Sequence, residues 1–444
     1  MGPRRTKVTE RRVAITGLGV VAPTGVGIDP FWDALCQGRS AIRPIAGFDA
    51  GGFPATIAGE LEDFSARKFV PKSYRKGVKV MARDIEMAVA AADLAVRDAG
   101  ITTKGIDPDA TDVDPKRLAC NIGAGLICSD LNELGTAVQA AVRDGHFDMK
   151  AWGSDGINNL QPLWLLKYLP NMLACHVTII HNARGPSNTL TCGDTSGQLA
   201  IGEAARQIAR GRADVAFAGG GESKLNPMGL LRQQLLGRLC TTANDRPTEA
   251  CRPFDAEHNG TVIGEGAGLV ILEDLQRAEA RGARIYAEVV GFGAACDPAG
   301  AEVGRANAGG LDRAARRALA DAGIEPGHLG LLLAHGTGVP QEDRIEAEAW
   351  NDVLGPAVRT TPAATMTATT GSMFAGHGGV SVAATALSVY HQTVPATANF
   401  QTPDNGCHLN LSPKSRSADI DYALCGSFAV GGQSGAVVLK RYRS

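Results

Sequence analysis

Hydrophobic positions along the chain follow two spacings, one typical of buried strands and one typical of amphipathic helices. Residues 13–22 form a short apolar run that predicts a strand ended by its glycines. Apolar residues recur at three- and four-residue intervals over residues 31–37 and 82–98, so both segments are predicted to be helices. Residues 118–125 predict another strand and turn, and residues 129–143 another helix. This alternation of strands and helices is typical of an α/β fold.

The same order recurs in the second part of the sequence. Residues 288–293 are similar to the strand and turn at 15–19, and a predicted helix over 311–323 follows them. The repetition predicts an internal duplication. We expect three segments: a flexible tail over residues 1–10, a first half over 11–275 and a second half over 276–444.

One turn is of particular interest because a long helix is predicted to begin directly after it. The turn is Leu-Thr-Cys-Gly-Asp-Thr-Ser-Gly at 190–197, and helical spacing continues to Gly211. Free backbone N–H groups and the positive end of the helix dipole point at whatever occupies such a turn. The occupant is Asp194. Its ordinary role would be to cap the helix by accepting hydrogen bonds from the backbone N–H of Ser196 or Gly197.

Composition argues against several classes of partner. The 444 residues carry a formal net charge of −2, so no electrostatic attraction to nucleic acid or to a membrane surface is expected. No apolar run approaches the ~20 residues that a membrane-spanning helix requires. The ten cysteines include no C-x-x-C pair and no cluster with histidine. We therefore expect no metal site, and reduced thiols in a cytoplasmic protein.

Several motifs occur in the order found in one known family. They are T-S-G at 195–197 followed by I-G-E-A at 201–204, R-P-F-D at 252–255, G-E-G-A-G at 264–268, H-G-T-G at 335–338 and V-P-A-T at 394–397. The chain resembles the β-ketoacyl synthases, or condensing enzymes, from about residue 11 to 443. The resemblance implies an α/β thiolase fold in which two duplicated halves form five layers, and a dimeric assembly.

The resemblance also implies that the nucleophile has changed. The family places a catalytic cysteine in the turn before the helix, and the motif aligns Asp194, not Cys192, with it. The first family histidine is present as His335. Condensation needs a thiolate to hold the acyl group, so an ordinary condensing reaction is not expected.

Three further family positions differ. An ungapped count back from V-P-A-T puts Thr367 at the family's lysine and Ser372 at its second histidine, whereas a local gap would bring His377 to that place instead. We prefer the ungapped count. In the C-terminal loop, Val430 stands where the family has a gating phenylalanine. The resemblance implies no cofactor other than phosphopantetheine delivered on a carrier protein.

This combination is most similar to the chain-length factor, the non-condensing ketosynthase-like subunit of type II polyketide and related polyene synthases. The resemblance implies a heterodimer with a catalytic ketosynthase, and an acyl carrier protein as second partner. Ser129, Asn132 and Thr136, spaced along one helix face, would line the substrate tunnel together with Val430. An exposed polar helix face is the alternative for the three helix residues. In the chain-length factors the nucleophile position is usually glutamine, so Asp194 is a departure, and so is the retained His335.

Two other hypotheses remain open. In the first, Asp194 and His335 form a base–acid pair for decarboxylation, hydrolysis or acyl transfer, or Cys192 acts as a displaced nucleophile. The helix dipole is then expected to lower the pKa of Asp194, and the carboxylate would repel malonate. In the second, the chain is a homodimeric scaffold that only binds acyl carrier protein through surface arginines and lysines.

Overall fold

The computed structural model describes residues 11–297 and 309–443, and the tail predicted over residues 1–10 lies outside these ranges. The strands found in the described ranges are β1 Val13–Ala22, β2 Gly25–Val26, β3 Ile42–Pro44, β4 Ile57–Gly59, β5 Leu118–Ala124, β6 Val142–Arg143, β7 His146–Phe147, β8 Ser187–Leu190, β9 Val215–Ser223, β10 Glu265–Asp274, β11 Ala287–Cys296, β12 Leu331–Leu333, β13 Ala363–Ala364, β14 Thr393–Val394, β15 Arg416–Ser417, β16 Tyr422–Phe428 and β17 Gln433–Lys440.

The helices in the same ranges include both segments with helical spacing that precede residue 100. They are α1 Ile28–Gln37, α2 Arg83–Asp98, α3 Leu131–Ala140, α4 Met149–Ala151, α5 Met172–His181, α6 Ser196–Ala209, α7 Pro227–Leu235, α8 Leu275–Ala280, α9 Gly309–Ala322, α10 Pro340–Leu354, α11 Thr367–Thr370 and α12 Ala375–His391. None of these helices is long and apolar enough to cross a membrane.

One large mixed sheet shows the internal duplication directly. Its strand order is β8-β5-β9-β10-β1-β11-β17-β16-β12-β13, with β2 paired to β1. From the central strands β1 and β11 outward, the strands of each half form two antiparallel pairings followed by two parallel pairings. The halves meet where Val13 pairs with Val289 and Ile15 with Ala287. The predicted duplication is therefore confirmed, while the domain boundary at residue 275 stays a prediction.

The glycines of the two central strands explain how each strand meets its outer helix. A Cβ on Gly17 or Gly19 would lie 2.2 or 1.9 Å from a carbonyl oxygen of α2. Gly291 and Gly293 stand in the same relation to α9, at 2.2 and 1.9 Å. The prediction that the first strand ends at its glycines is wrong, because β1 continues to Ala22. The glycines serve close helix–strand approach inside the strand.

Five layers result from this packing. Helix α2 covers the outer face of the first half of the sheet, and α9 covers the outer face of the second half. Helices α6 and α12 contact each other and strands of both halves, so they form the central layer. The largest buried cluster draws apolar residues from both halves around these two helices. Helix α12 contacts the turn at Gly193–Thr195 that leads into α6, so the starts of the two central helices lie together.

Candidate functional site

Asp194 lies in a single 3₁₀ turn, Gly193–Thr195, that leads directly into α6. Gly193 takes a left-handed conformation with φ 60°, which brings Asp194 into the interior, where it is 3% exposed. No side chain caps α6, and Asp194 Oδ1 makes no hydrogen bond with a described residue. The expected capping role is therefore wrong. Instead, Ser196 Oγ organises the turn by accepting a hydrogen bond from the Cys192 backbone N–H at 2.8 Å.

Burial raises the pKa of Asp194 to about 6. The buried guanidinium of Arg238 opposes this rise, whereas Glu342 and Glu222 add to it. The sequence-based expectation that the helix dipole would lower this pKa is wrong, because the cost of desolvating the carboxylate outweighs the dipole. Near neutral pH a larger fraction of this group is therefore protonated than of an ordinary aspartate.

His335 is the residue beside Asp194. Its Nε2 lies 3.8 Å from Asp194 Oδ1, which is longer than a hydrogen bond. Burial, with further contributions from His377 and Arg238, lowers the pKa of His335 well below its usual value, so the ring is neutral. The buried carboxylate of Glu346 positions the residue by accepting its backbone N–H at 2.7 Å. The predicted pairing of Asp194 with His335 is therefore present as proximity without a direct hydrogen bond.

The strand-to-helix segment before α12 supplies the other predicted residues. Thr367 Oγ1 donates to the carbonyl oxygen of His335 at 3.0 Å, so Thr367 contributes a neutral hydroxyl beside His335. Ser372 is buried, and its hydroxyl makes no hydrogen bond with the described part of the chain. Both residues lie in the segment between β13 and α12.

His377 is a site residue that the ungapped count left aside. It lies in the first turn of α12, and its ring centroid is 4.4 Å from that of His335. Burial lowers its pKa to about 3. The cleft therefore contains two neutral imidazoles although position 372 is serine. The signal in the sequence was Gly-His-Gly-Gly at 376–379, because small neighbours allow α12 to approach α6 closely.

The structure does not prepare Cys192 for nucleophilic attack. The thiol is half-buried, and burial raises its pKa, which favours the less reactive protonated form. Asp194, and not Cys192, has a histidine beside it. Asp194 Oδ1, His335 Nδ1, Ser372 Oγ and both ring nitrogens of His377 are buried without hydrogen-bond partners among the described residues. This cluster can hold and move a proton, but it has no thiolate.

The predicted tunnel residues separate into two groups. Ser129 and Asn132 line a cavity of about 370 Å³, whereas Thr136 is exposed and does not line it. Helix α3 begins only at Leu131, because Asp130 caps it by accepting the Asn132 N–H at 2.8 Å. The predicted helix start at residue 129 is therefore wrong, and Ser129 does not share a helix face with the other two.

Val430 is half-buried in the loop that joins β16 and β17. The aromatic ring that reaches the cleft from this part of the chain belongs to Phe428, whose centroid is 5.3 Å from that of His335. Val430, at the position where the resemblance implies a gating phenylalanine, carries no aromatic ring. Phe428 nevertheless provides an aromatic contact with His335.

Comparisons with known proteins agree with this architecture. A family model described as Beta-ketoacyl synthase, N-terminal domain matches residues 10–278, and one described as Beta-ketoacyl synthase, C-terminal domain matches residues 286–401. The 3-oxoacyl-(acyl-carrier-protein) synthase 2 of Vibrio harveyi is 33% identical over 436 residues, which cover 98% of this chain and 99% of that protein.

Two solved structures have similar folds. One is described as the ishigamide ketosynthase/chain length factor, with a TM-score of 0.83, 29% identity, and coverage of 98% of this chain and 100% of that chain. The other is described as a type II PKS acyl-carrier protein in complex with its ketosynthase bound to the hexaketide, with a TM-score of 0.83, 28% identity and the same coverage.

Fold and cleft together define a thiolase-fold protein of the condensing-enzyme class, as the motifs predicted. The chain belongs to the beta-ketoacyl synthase family.

Proposed function

We propose that this chain is a non-condensing ketosynthase-like subunit, a chain-length factor, that pairs with a catalytic ketosynthase in the cytoplasm and shapes the tunnel for a carrier-bound polyketide or polyene chain. The observation that carries the proposal is Asp194. A condensing enzyme holds its acyl group on a thiolate, and here a buried carboxylate occupies the turn before α6. The nearest thiol in the sequence, Cys192, has a raised pKa.

Exposed apolar side chains support the part of the proposal that concerns a partner subunit. Among described residues, the exposed large apolar side chains lie almost entirely between residues 126 and 235, with Tyr390 as the exception. They are Leu126, Leu131, Val142, Phe147, Met149, Ile157, Leu163, Leu165, Ile179, Leu231 and Leu235. The edge strand β8 lies in the same part of the chain, and its Ser187 and Asn188 are exposed. Exposed apolar side chains and an unpaired strand edge are both typical of protein–protein interfaces.

A basic patch supports the carrier protein as the other partner. Six exposed cations lie within residues 67–79, and none makes an ion pair with a described residue: Arg67, Lys68, Lys72, Arg75, Lys76 and Lys79. Because the whole chain has a net charge of −2, this concentration of positive charge is local. It fits an acidic partner. The patch is followed directly by Met81 and Ala82, which line the cavity beside Ser129.

Reconstitution with a partner tests the proposal. The chain is co-expressed with a cysteine-bearing ketosynthase encoded beside it, purified, and incubated with malonyl-loaded carrier protein. Intact-protein mass spectrometry then compares the parent with Asp194→Ala, Cys192→Ala and His335→Ala. We expect a heterodimer, acyl label on the partner alone, and product from all three variants. Acyl label on this chain that one of the variants abolishes would contradict the proposal, and a homodimer that binds only carrier would favour the scaffold hypothesis.

One observation favours a second function, an acid–base cleft that decarboxylates a carrier-bound malonyl group. Asp194, with its pKa raised to about 6, lies 3.8 Å from His335. A group with a pKa near the working pH can both donate and accept a proton. The isolated chain would then convert malonyl-carrier to acetyl-carrier, and Asp194→Asn would abolish the conversion. No turnover by the isolated chain excludes this function.

A further inference from the structure

Part of the lining of the cavity beside Ser129 comes from the end of strand β9 and the residues that follow it. Ser223 and Leu225 line the cavity, while Glu222 and Lys224 alternate with them and do not. Both charged side chains are buried, and Lys224 is only 9% exposed. A buried ion pair therefore stands directly behind the cavity lining.

Lys224 connects two parts of the cavity wall. Its ammonium group donates hydrogen bonds to the Glu222 carboxylate and, at 3.1 Å, to the carbonyl oxygen of Leu126. The two residues after Leu126, Ile127 and Cys128, line the cavity. Lys224 thus ties the loop on one side of the cavity to strand β9 on the other side.

Phe374 completes the barrier on the side of the cleft. The Lys224 ammonium lies 5.7 Å from the centroid of the Phe374 ring, close enough for a cation–π contact. Phe374 is buried and immediately precedes α12, three residues before His377. Its backbone has φ 48° and ψ −122°, a strained conformation for a residue with a side chain. Such strain persists where the surroundings impose it.

Glu222 contacts both sides of this barrier. One carboxylate oxygen accepts a hydrogen bond from the Ala375 backbone N–H at 2.9 Å, and the other accepts from Lys224. Glu222 is also close enough to Asp194 for its charge to raise that residue's pKa. Glu222 therefore links the Lys224 ammonium group to the start of α12 and acts electrostatically on Asp194.

We propose that Lys224 and Phe374, which stand behind the lining residues Ser223 and Leu225, form a wall that separates this cavity from the Asp194 cleft, and so help to set the length of carrier-bound chain that the cavity accepts. The part concerning chain length rests on the proposed function, whereas the wall itself does not. Removing the wall would join the cavity to the space around Asp194 and His335.

A reporter thiol tests the wall in the isolated protein. Asp194→Cys places a thiol on the far side, and hexyl methanethiosulfonate is added to the protein with and without Phe374→Gly or Lys224→Met. Glycine relieves the strained backbone at 374, and methionine keeps the length of Lys224 without its charge. Lys72→Met, on the exposed patch, is the matched control. Peptide mapping by mass spectrometry distinguishes modification of the thiol at position 194 from modification of the native cysteines. Circular dichroism checks that each variant is folded.

We expect labelling at position 194 to be at least about tenfold faster in the Phe374→Gly and Lys224→Met backgrounds than in the parent or the Lys72→Met background, because thiol modification follows access. The ratio of rates decides the outcome whatever the absolute rates are. A ratio within about twofold for a folded Phe374→Gly protein would overturn the wall, since access would then not depend on it.

The length of the product tests the second part. In the reconstituted heterodimer, Phe374→Gly and Lys224→Met, without the reporter, are expected to shift the product towards longer chains. Faster labelling together with unchanged product length would support the wall but contradict its role in setting chain length. If no heterodimer or product forms, the proposed function fails, while the labelling experiment still decides whether the wall exists.

Discussion

Replacing Asp194 with asparagine should stabilise the protein above neutral pH, although it removes a residue at the centre of the site. The carboxylate is 3% exposed, Oδ1 has no hydrogen-bond partner among the residues that the structure describes, and burial raises its pKa to about 6 from the ordinary 3.8. Asparagine has nearly the same shape and no charge to desolvate. The variant therefore removes the cost of keeping a charge in this place.

The size of the effect follows from the pKa. An aspartate with a raised folded-state pKa holds its proton more tightly in the folded protein than in the unfolded chain. The stability from that proton is fully present below pH 3.8 and is lost as the pH rises through about 6. At roughly 1.4 kcal/mol for each unit of pKa, the difference between 3.8 and about 6 corresponds to about 3 kcal/mol.

Urea denaturation followed by circular dichroism, at several pH values between about 4 and about 8, measures the free energy of unfolding of the parent and the variant. Asp194→Asn should be more stable than the parent by about 3 kcal/mol at the upper end, and the difference should vanish at the lower end. Burial also raises the pKa of Asp84 to about 7 and of Glu346 to about 8. These groups titrate in both proteins, so only the difference between parent and variant reports on Asp194.

Asp214 provides a control of opposite sign. Hydrogen bonds from Arg117 and Arg11 lower the pKa of this half-exposed carboxyl group. Its contribution is present above the ordinary pKa and is lost as the pH falls through the lowered value, so Asp214→Asn should destabilise the protein at neutral pH and matter less in acid. If Asp194→Asn is no more stable than the parent at about pH 8, or if its advantage is the same at every pH, the buried-charge interpretation is refuted.

Three other predictions follow from packing and charge. Arg238→Met should cost about 3–5 kcal/mol in urea denaturation because it leaves Glu342 buried without its bidentate partner, and adding Glu342→Leu should recover most of that loss. Gly19→Ala should lower stability by about 1–3 kcal/mol because its methyl group would overlap a carbonyl oxygen of α2, while Gly327→Ala, which has open space, should stay near the parent. Lys76→Glu should weaken carrier binding by about tenfold in calorimetry at low salt, and a salt-independent loss would argue against electrostatic docking.

Local sequence patterns predicted the elements well and their local details less well. Strand-like and helix-like spacing identified β1, α2, β5 and α9 because a buried face repeats along the chain at the period of its own backbone. Two details were wrong for reasons outside the local pattern. β1 does not end at its glycines, because they meet a helix, and α3 starts late because Asp130 takes the cap.

The site was partly accessible from the motifs. Their order identified Asp194, His335 and Thr367 as neighbours, and the structure brings these residues together. The preferred ungapped count chose Ser372 and left His377 as the alternative, because a ring five residues from the expected position reaches His335 only when α12 packs closely against α6.

The sequence by itself determined the duplicated α/β order, the family and the presence of a carboxylate, Asp194, in the turn before a long helix, because each depends on residue identity and spacing. The tertiary structure decided the protonation of the cleft and the end of the cavity. A pKa depends on how much water the fold removes, so the buried Asp194 titrates near 6 although its place at a helix start suggested the opposite. Lys224 and Phe374 are 150 residues apart in sequence, and only packing brings a cation over that ring.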